Sequence, residues 1–123
     1  DREFMCDWKE EKMRKTILVT SEFLGQGDDE LGATLMGSFL RKLCLTETLP
    51  QEIIFYNSGV KLLAEGSAVL DAIEMLSKKG VRLTACGTCV GYYELKNVMA
   101  TVHTGDMAGI ISELMTSKHV VTI

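Results

Sequence analysis

After Lys15 the hydrophobic period switches repeatedly between that of a buried strand and that of an amphipathic helix, and few architectures accept such a pattern. Thr16 to Thr20 is a short apolar, β-branched run, as a strand covered on both faces requires. It leads through Gly25-Gln26-Gly27-Asp28-Asp29-Glu30 into a helical pattern with Leu31, Leu35, Met36, Phe39, Leu40 and Leu43 on one face. Asp28 or Asp29 is placed to cap that helix, and an acidic first turn suits its positive end. Pro50 stops the segment, and Glu52 to Tyr56 reads as a second buried strand running into Asn57-Ser58-Gly59. Gly66-Ser67 opens a helix through Val69, Leu70, Ile73 and Leu76, which Lys78-Lys79-Gly80 closes. Val81 to Ala85 is a third strand, followed by Cys86-Gly87-Thr88-Cys89, a short helical stretch around Tyr92 to Lys96 and a weak strand near Ala100 to Val102. Asp106 caps a last helix with Met107, Ile110, Ile111 and Leu114 inward, and Val120 to Ile123 is the final strand.

Strands alternating with helices at this spacing are βαβ units. The expected fold class is therefore α/β: a three-layer α/β/α sandwich around a mostly parallel sheet of about five strands. Sites in such sheets lie at the carboxyl ends of the strands, where three loops are candidates: Ser21 to Glu30, Asn57 to Leu63 and Cys86 to Gly91. The domain is expected over residues 16–123. Residues 1–15 hold ten charges summing to zero and read as a linker or added arm, as on the carboxy-terminal piece of a longer polypeptide.

A chain of 123 residues with 46% apolar and 24% charged residues is long enough to bury one ordinary core. Its net charge of −4 argues against a dedicated nucleic-acid binder. No apolar run approaches the ~20 residues that span a bilayer, and no amino-terminal stretch reads as a signal peptide. Four cysteines, Cys6, Cys44, Cys86 and Cys89, are too few and too irregular for a secreted disulfide framework. The expected compartment is a reducing cytoplasm, where each thiol is either a small buried hydrophobe or a reactive group.

Cys86-Gly87-Thr88-Cys89 is the sharpest feature. Two thiols between a strand end and a helix start lie near unpaired backbone N–H groups, which stabilise a thiolate. Gly87 and Gly91 let the backbone turn tightly. Two inert core cysteines are the plain alternative. A structural zinc site would need a second paired ligand set, and Cys6, Cys44, His103 and His119 would have to be recruited singly. A thioredoxin-like oxidoreductase would carry the motif early, with a later proline facing it; here the motif is late and Pro50 lies upstream. Sulfur or selenium carriage on a cysteine remains, needing a nucleophilic, reachable thiolate. Gly25-Gln26-Gly27 fails as a dinucleotide loop because Glu30 replaces the third glycine and three carboxylates would repel phosphate. Asn57, Ser58 and Gly59 form a turn that can help line the site. Lys61 is read as facing water, Tyr92 and Tyr93 as helix packing, and Met36, Met75, Met107 and Met115 as core.

Three runs in order carry a resemblance: Gly25-Gln26-Gly27-Asp28-Asp29-Glu30-Leu31-Gly32, Phe55-Tyr56-Asn57-Ser58-Gly59-Val60-Lys61-Leu62 and Ala85-Cys86-Gly87-Thr88-Cys89-Val90. Together, over Thr16 to Ile123, they resemble the DsrE-like family, and within it the sulfurtransferase-like selenium metabolism (YedF-type) subgroup. The resemblance implies an α/β/α domain, homo-oligomeric in many relatives, that handles sulfane sulfur or selenium on a cysteine without a cofactor or metal. Cys86 matches the cysteine that such carriers place after a strand, and Cys89 the second thiol of the subgroup. A SirA/TusA-like domain precedes this one in longer members, and donor and acceptor proteins are the implied partners. Where the subgroup tends to carry Asn-Met before the last helix, this chain has Asp106-Met107. The expected chemistry is a Cys86 persulfide or selenosulfide passed to an acceptor thiol, with Cys89 as a release partner. Gly87 and Thr88 would supply N–H groups, and Asn57 would orient the site. The alternative is a non-catalytic module that binds a small ligand or partner at the same strand ends.

Overall fold

A computed structural model describes residues 15–123, and the expected arm lies outside the described residues apart from Lys15, which begins the first strand. Five strands form one sheet: β1 (Lys15–Val19), β2 (Glu52–Phe55), β3 (Arg82–Cys86), β4 (His103–Gly105) and β5 (His119–Thr122). Their order is β4-β3-β2-β1-β5, and every pairing is parallel. The helices are α1 (Asp29–Leu43), α2 (Leu70–Lys78), α3 (Gly87–Tyr92) and α4 (Met107–Thr116), with a 3-10 helix over Asn57–Leu63. The α/β/α class read from the period is the observed one.

Alternation along the strands divides the core in two. Ile17, Val19, Ile53, Phe55, Leu83 and Ala85 point to one face, where Met36 and Leu40 of α1, Val60 and Leu63 of the 3-10 helix and Ile73 and Leu76 of α2 cover them. Leu18, Ile54 and Cys86 point to the other, where Ile110 of α4 closes over them with Leu114 beside it. The chain steps from β1 out to β4 with connections on the first face. It then returns through α4 on the second face to place β5 on the far side of β1. Right-handed crossovers demand this change of face when the direction of travel reverses. The connections leaving β3 and β4 thus diverge, and the crevice of a doubly wound sheet opens at such a switch point. Cys86, the last residue of β3, stands there, paired in register with Gly105 of β4.

Local signals explain the helix starts. Asp28 accepts the Leu31 N–H at 2.8 Å and Asp106 the Gly109 N–H at 2.8 Å, each satisfying one of the free donors of a first turn. The inward faces of the helices differ from expectation. Leu31 and Leu35 of α1 are exposed, and the buried residues are Gly32, Met36, Gly37 and Leu40. Gly32 brings α1 against the preceding loop, since a Cβ there would stand 2.8 Å from that of Phe23. Met75, Met107, Ile111 and Met115 are likewise exposed rather than core. In α4 only Ile110 is fully covered, because among the described residues this is the helix packed on that face of the sheet.

Three boundaries also move. The helix expected around Tyr92 to Lys96 instead spans Gly87–Tyr92. The Leu95 N–H reaches the Val90 carbonyl and the Glu94 N–H that of Gly91, while Glu94 takes φ 51°. That is a Schellman closure in which glutamate occupies the left-handed position, so no glycine announces the stop. The strand expected at Ala100 to Val102 forms at His103–Gly105, where β3 offers its free edge; Val102 turns back to bond the Met99 carbonyl. The second helix begins at Leu70 rather than Gly66-Ser67, with Ser67 Oγ accepting the Val69 N–H ahead of it.

Candidate functional site

The Cys86-Gly87-Thr88-Cys89 run forms the joint between β3 and α3, with Cys86 as the cap residue and the other three in the first turn. Gly87 sits in a close space, where an added Cβ would meet the Thr104 methyl at 3.0 Å. Cys86 is 3% exposed, whereas Cys89 is partly exposed. Burial works against the Cys86 thiolate, yet it is outweighed by the backbone N–H and S–H of Cys89 and the N–H and hydroxyl of Thr88. Together these neighbouring donors hold its thiol below the usual range. Burial pushes the Cys89 thiol up, the Asn57 N–H opposes that, and the bond and charge at Cys86 push it up further. One sulfur is thus prepared to carry charge while its neighbour keeps its proton.

Asn57 reaches the pair from the end of β2. Its N–H donates to Cys89 Sγ at 3.1 Å, and its backbone holds φ 51°, a left-handed conformation that non-glycine residues adopt at a cost. Tyr93 donates its hydroxyl to Asn57 Oδ1 at 3.0 Å. Asn57, Thr88, Cys89, Tyr92 and Tyr93 line a cleft of about 370 Å³ at the strand ends. Tyr92 stands edge-on to Tyr93 and is 80% exposed at the cleft.

The residues singled out from the sequence therefore divide. Cys86, Gly87, Thr88, Cys89 and Asn57 come together. Ser58 and Gly59 lie outside the lining of the cleft and turn toward β1. Ser58 Oγ accepts the Glu22 N–H at 3.2 Å and donates to Ser21 Oγ at 3.3 Å, and Gly59 is buried where a Cβ would stand 2.7 Å from the Val19 carbonyl oxygen. Lys61 is engaged rather than simply facing water: its Nζ sits 4.5 Å from the Tyr93 ring centroid and 3.7 Å from Glu22 Oε2. Tyr93, read as packing, bonds a site residue. No local signal reveals that role, since its partner lies 36 residues away.

Cys44 is an inert core thiol, donating to the Leu40 and Ala72 carbonyls. His103 and His119 are exposed on the edge strands β4 and β5. Gly25 and Gly27 take positive φ in an exposed turn before the Asp28 cap, the glycine turn and acidic cap expected of this run. Among the described residues no three His, Cys, Asp or Glu gather to hold a metal, and no helix is long and apolar enough to cross a membrane.

No protein-family model matches the chain, and no curated protein matches its sequence. Solved structures do match its shape. The ychN protein of E. coli superposes with a TM-score of 0.69 at 15% identity, over 90% of this chain and 100% of that one. The protein MTH1491 of Methanobacterium thermoautotrophicum gives 0.64 at 21% identity, over 89% and 97% of the two chains. The protein BT1422 of Bacteroides thetaiotaomicron gives 0.61 at 14% identity, over 89% and 95%. These likenesses support the DsrE-like fold, and at such identities they speak to fold alone.

Proposed function

We propose that this chain is a sulfurtransferase-like carrier of the YedF type, holding sulfane sulfur or selenium on Cys86 in a reducing cytoplasm. The observation that carries the reading is the asymmetry of the thiol pair between β3 and α3: Cys86 is buried with its thiol held below the usual range by the neighbouring donors of Cys89 and Thr88, while Cys89 is partly exposed, receives the Asn57 N–H at 3.1 Å and has its thiol pushed up. The Cys86 thiolate attacks the outer sulfur of a donor persulfide, the donor's S–S bond breaks, and the donor leaves as a thiolate. An acceptor thiolate then attacks the outer sulfur of the Cys86 persulfide and returns Cys86 to a thiolate. Donor and acceptor are proteins presenting thiols, a SirA/TusA-like domain among them, and the carrier works as a homo-oligomer.

Intact-mass measurement after incubation with a sulfane sulfur or selenium donor tests this reading. The native chain should gain one atom of cargo, Cys86→Ser should gain none, and Cys89→Ser should hold the loaded form longer. Loading of Cys86→Ser but not of Cys89→Ser would reverse the roles, and loading indifferent to both would end the reading. The burial of Cys86 favours a second one, a non-catalytic module that binds a small ligand or partner in the cleft with the thiols incidental. Binding that survives both substitutions would select it.

A further inference from the structure

Resting on the carrier reading, we propose that Tyr93 is a positioning residue that readies Cys89 for the release step by holding the Asn57 N–H against its sulfur. Release without an acceptor needs a second thiolate. Cys89 loses its proton to solvent, its thiolate attacks the inner sulfur of the Cys86 persulfide, the Cys86 Sγ, and a Cys86–Cys89 disulfide forms. The outer sulfur departs as hydrosulfide with the electron pair of the broken bond. An external dithiol then reduces the disulfide and resets the pair. Once Cys86 is a persulfide, the stabilising N–H from outside the motif that Cys89 receives is that of Asn57, at 3.1 Å.

That N–H is aimed by an unusual backbone. Asn57 stands at φ 51°, in the left-handed region that residues with a Cβ adopt far less often than glycine. Its exposed side chain is held by the Tyr93 hydroxyl at 3.0 Å. Tyr93 is fixed in turn by the Lys61 ammonium 4.5 Å from its ring centroid, and Lys61 by Glu22 at 3.7 Å. A chain of contacts thus runs from the β1 loop through the 3-10 helix and the end of α3 to the Cys89 sulfur. Tyr93 meets Cys89 through its backbone N–H on the Cys89 carbonyl and Asn57 through its hydroxyl, and the proposed effect runs through the hydroxyl.

The test reads the alkylation of Cys89 by iodoacetamide against pH, resolved by peptide mass, in a Cys86→Ser background. Adding Tyr93→Phe, which removes the hydroxyl and keeps the ring, should raise the midpoint by about half a unit and slow labelling at neutral pH roughly three-fold. Adding Asn57→Gly to that variant should restore the midpoint, because glycine adopts φ 51° without a side chain to hold it. An unchanged midpoint in Tyr93→Phe, or a shift that Asn57→Gly leaves in place, overturns the proposal. Cargo loading on Cys86 in the native chain is measured separately. Loading without a midpoint shift removes the role of Tyr93 and leaves the carrier reading. A restored midpoint without loading does the reverse.

Discussion

Cys89 lies one helical turn beyond Cys86 and is partly exposed where Cys86 is buried, and its nearby N–H and S–H help to hold the Cys86 thiol below the usual range. Charge and access are therefore separated between the two. Removing the donor with Cys89→Ala should raise the alkylation midpoint of Cys86, and Cys89→Ser, which still donates, should raise it less. The same pairing has a consequence for folding. A thiol held below its unfolded value contributes stability that is full above the unfolded pKa and is lost as pH falls through the folded one. Cys89, shifted the other way, contributes below its unfolded pKa and loses that contribution as pH rises through its folded value. Chemical denaturation of the two alanine variants between neutral and alkaline pH should show opposite slopes relative to the native chain.

Ile110 is 1% exposed and belongs to the small cluster that contains Cys86. Ile110→Ala should destabilise the fold by about 2–5 kcal/mol, read by urea denaturation. At pH values where the fold remains intact, it should also speed alkylation of Cys86, because the cover over that sulfur is thinned. Equal labelling rates in both proteins would mean that reagents reach Cys86 by another route.

Glu52 is 2% exposed beneath α4, with Thr84 Oγ1 donating to it at 2.5 Å and Arg82 Nε 3.7 Å away. Burial, joined by the facing carboxyl of Glu113, raises its pKa against the pull of Thr84 and Arg82. A raised carboxyl contributes stability that is full below its unfolded pKa and is lost as pH rises through the folded value. Glu52→Gln should therefore match or exceed the native melting temperature at neutral pH, with the difference shrinking toward pH 4. A variant less stable at neutral pH than at pH 4, relative to the native chain, would show that the Arg82 pair outweighs burial.

Two glycines should respond with opposite signs. At Gly59 an added methyl meets the Val19 carbonyl oxygen at 2.7 Å, so Gly59→Ala should cost about 1–3 kcal/mol and separate the 3-10 helix from β1. Gly91 lies in α3 with nothing within 4 Å of an added Cβ, so Gly91→Ala should stabilise by about 0.5–1 kcal/mol. Thermal melts of both variants decide the matter.

Met107, Ile111 and Met115 recur every four residues along α4 and are all exposed. If the proposed self-association uses this stripe, Ile111→Glu should lower the mass seen by light scattering across a dilution series while leaving the melting curve of the subunit nearly unchanged. A native chain that stays monomeric at about tens of micromolar, where ordinary specific interfaces are formed, removes the oligomer from the proposal.

The alternation of periods by itself determined the βαβ organisation, and the Asp106 cap, with the first cap narrowed to Asp28 or Asp29, was equally legible, because each is a short-range bond between a carboxylate and an N–H three residues on. The motif between β3 and α3 could be read for the same reason: a strand end meeting a helix start is a local event. Which edge of an apolar stripe turns inward was a tertiary matter. Gly32 lets α1 lie against Phe23, and the side of α1 that carries Gly32, Met36, Gly37 and Leu40 is buried while Leu31 and Leu35 stay in water. The stop of α3 at Tyr92 and the place of β4 depended on a left-handed Glu94 and on the free edge of β3. Above all, the link from Tyr93 to Asn57 and on to Cys89 joins residues of two loops that only the parallel pairing of β2 and β3 brings side by side. Periodicity reports what each segment must bury. The partner that covers it, and the contacts made where strand ends converge, are properties of the assembled sheet.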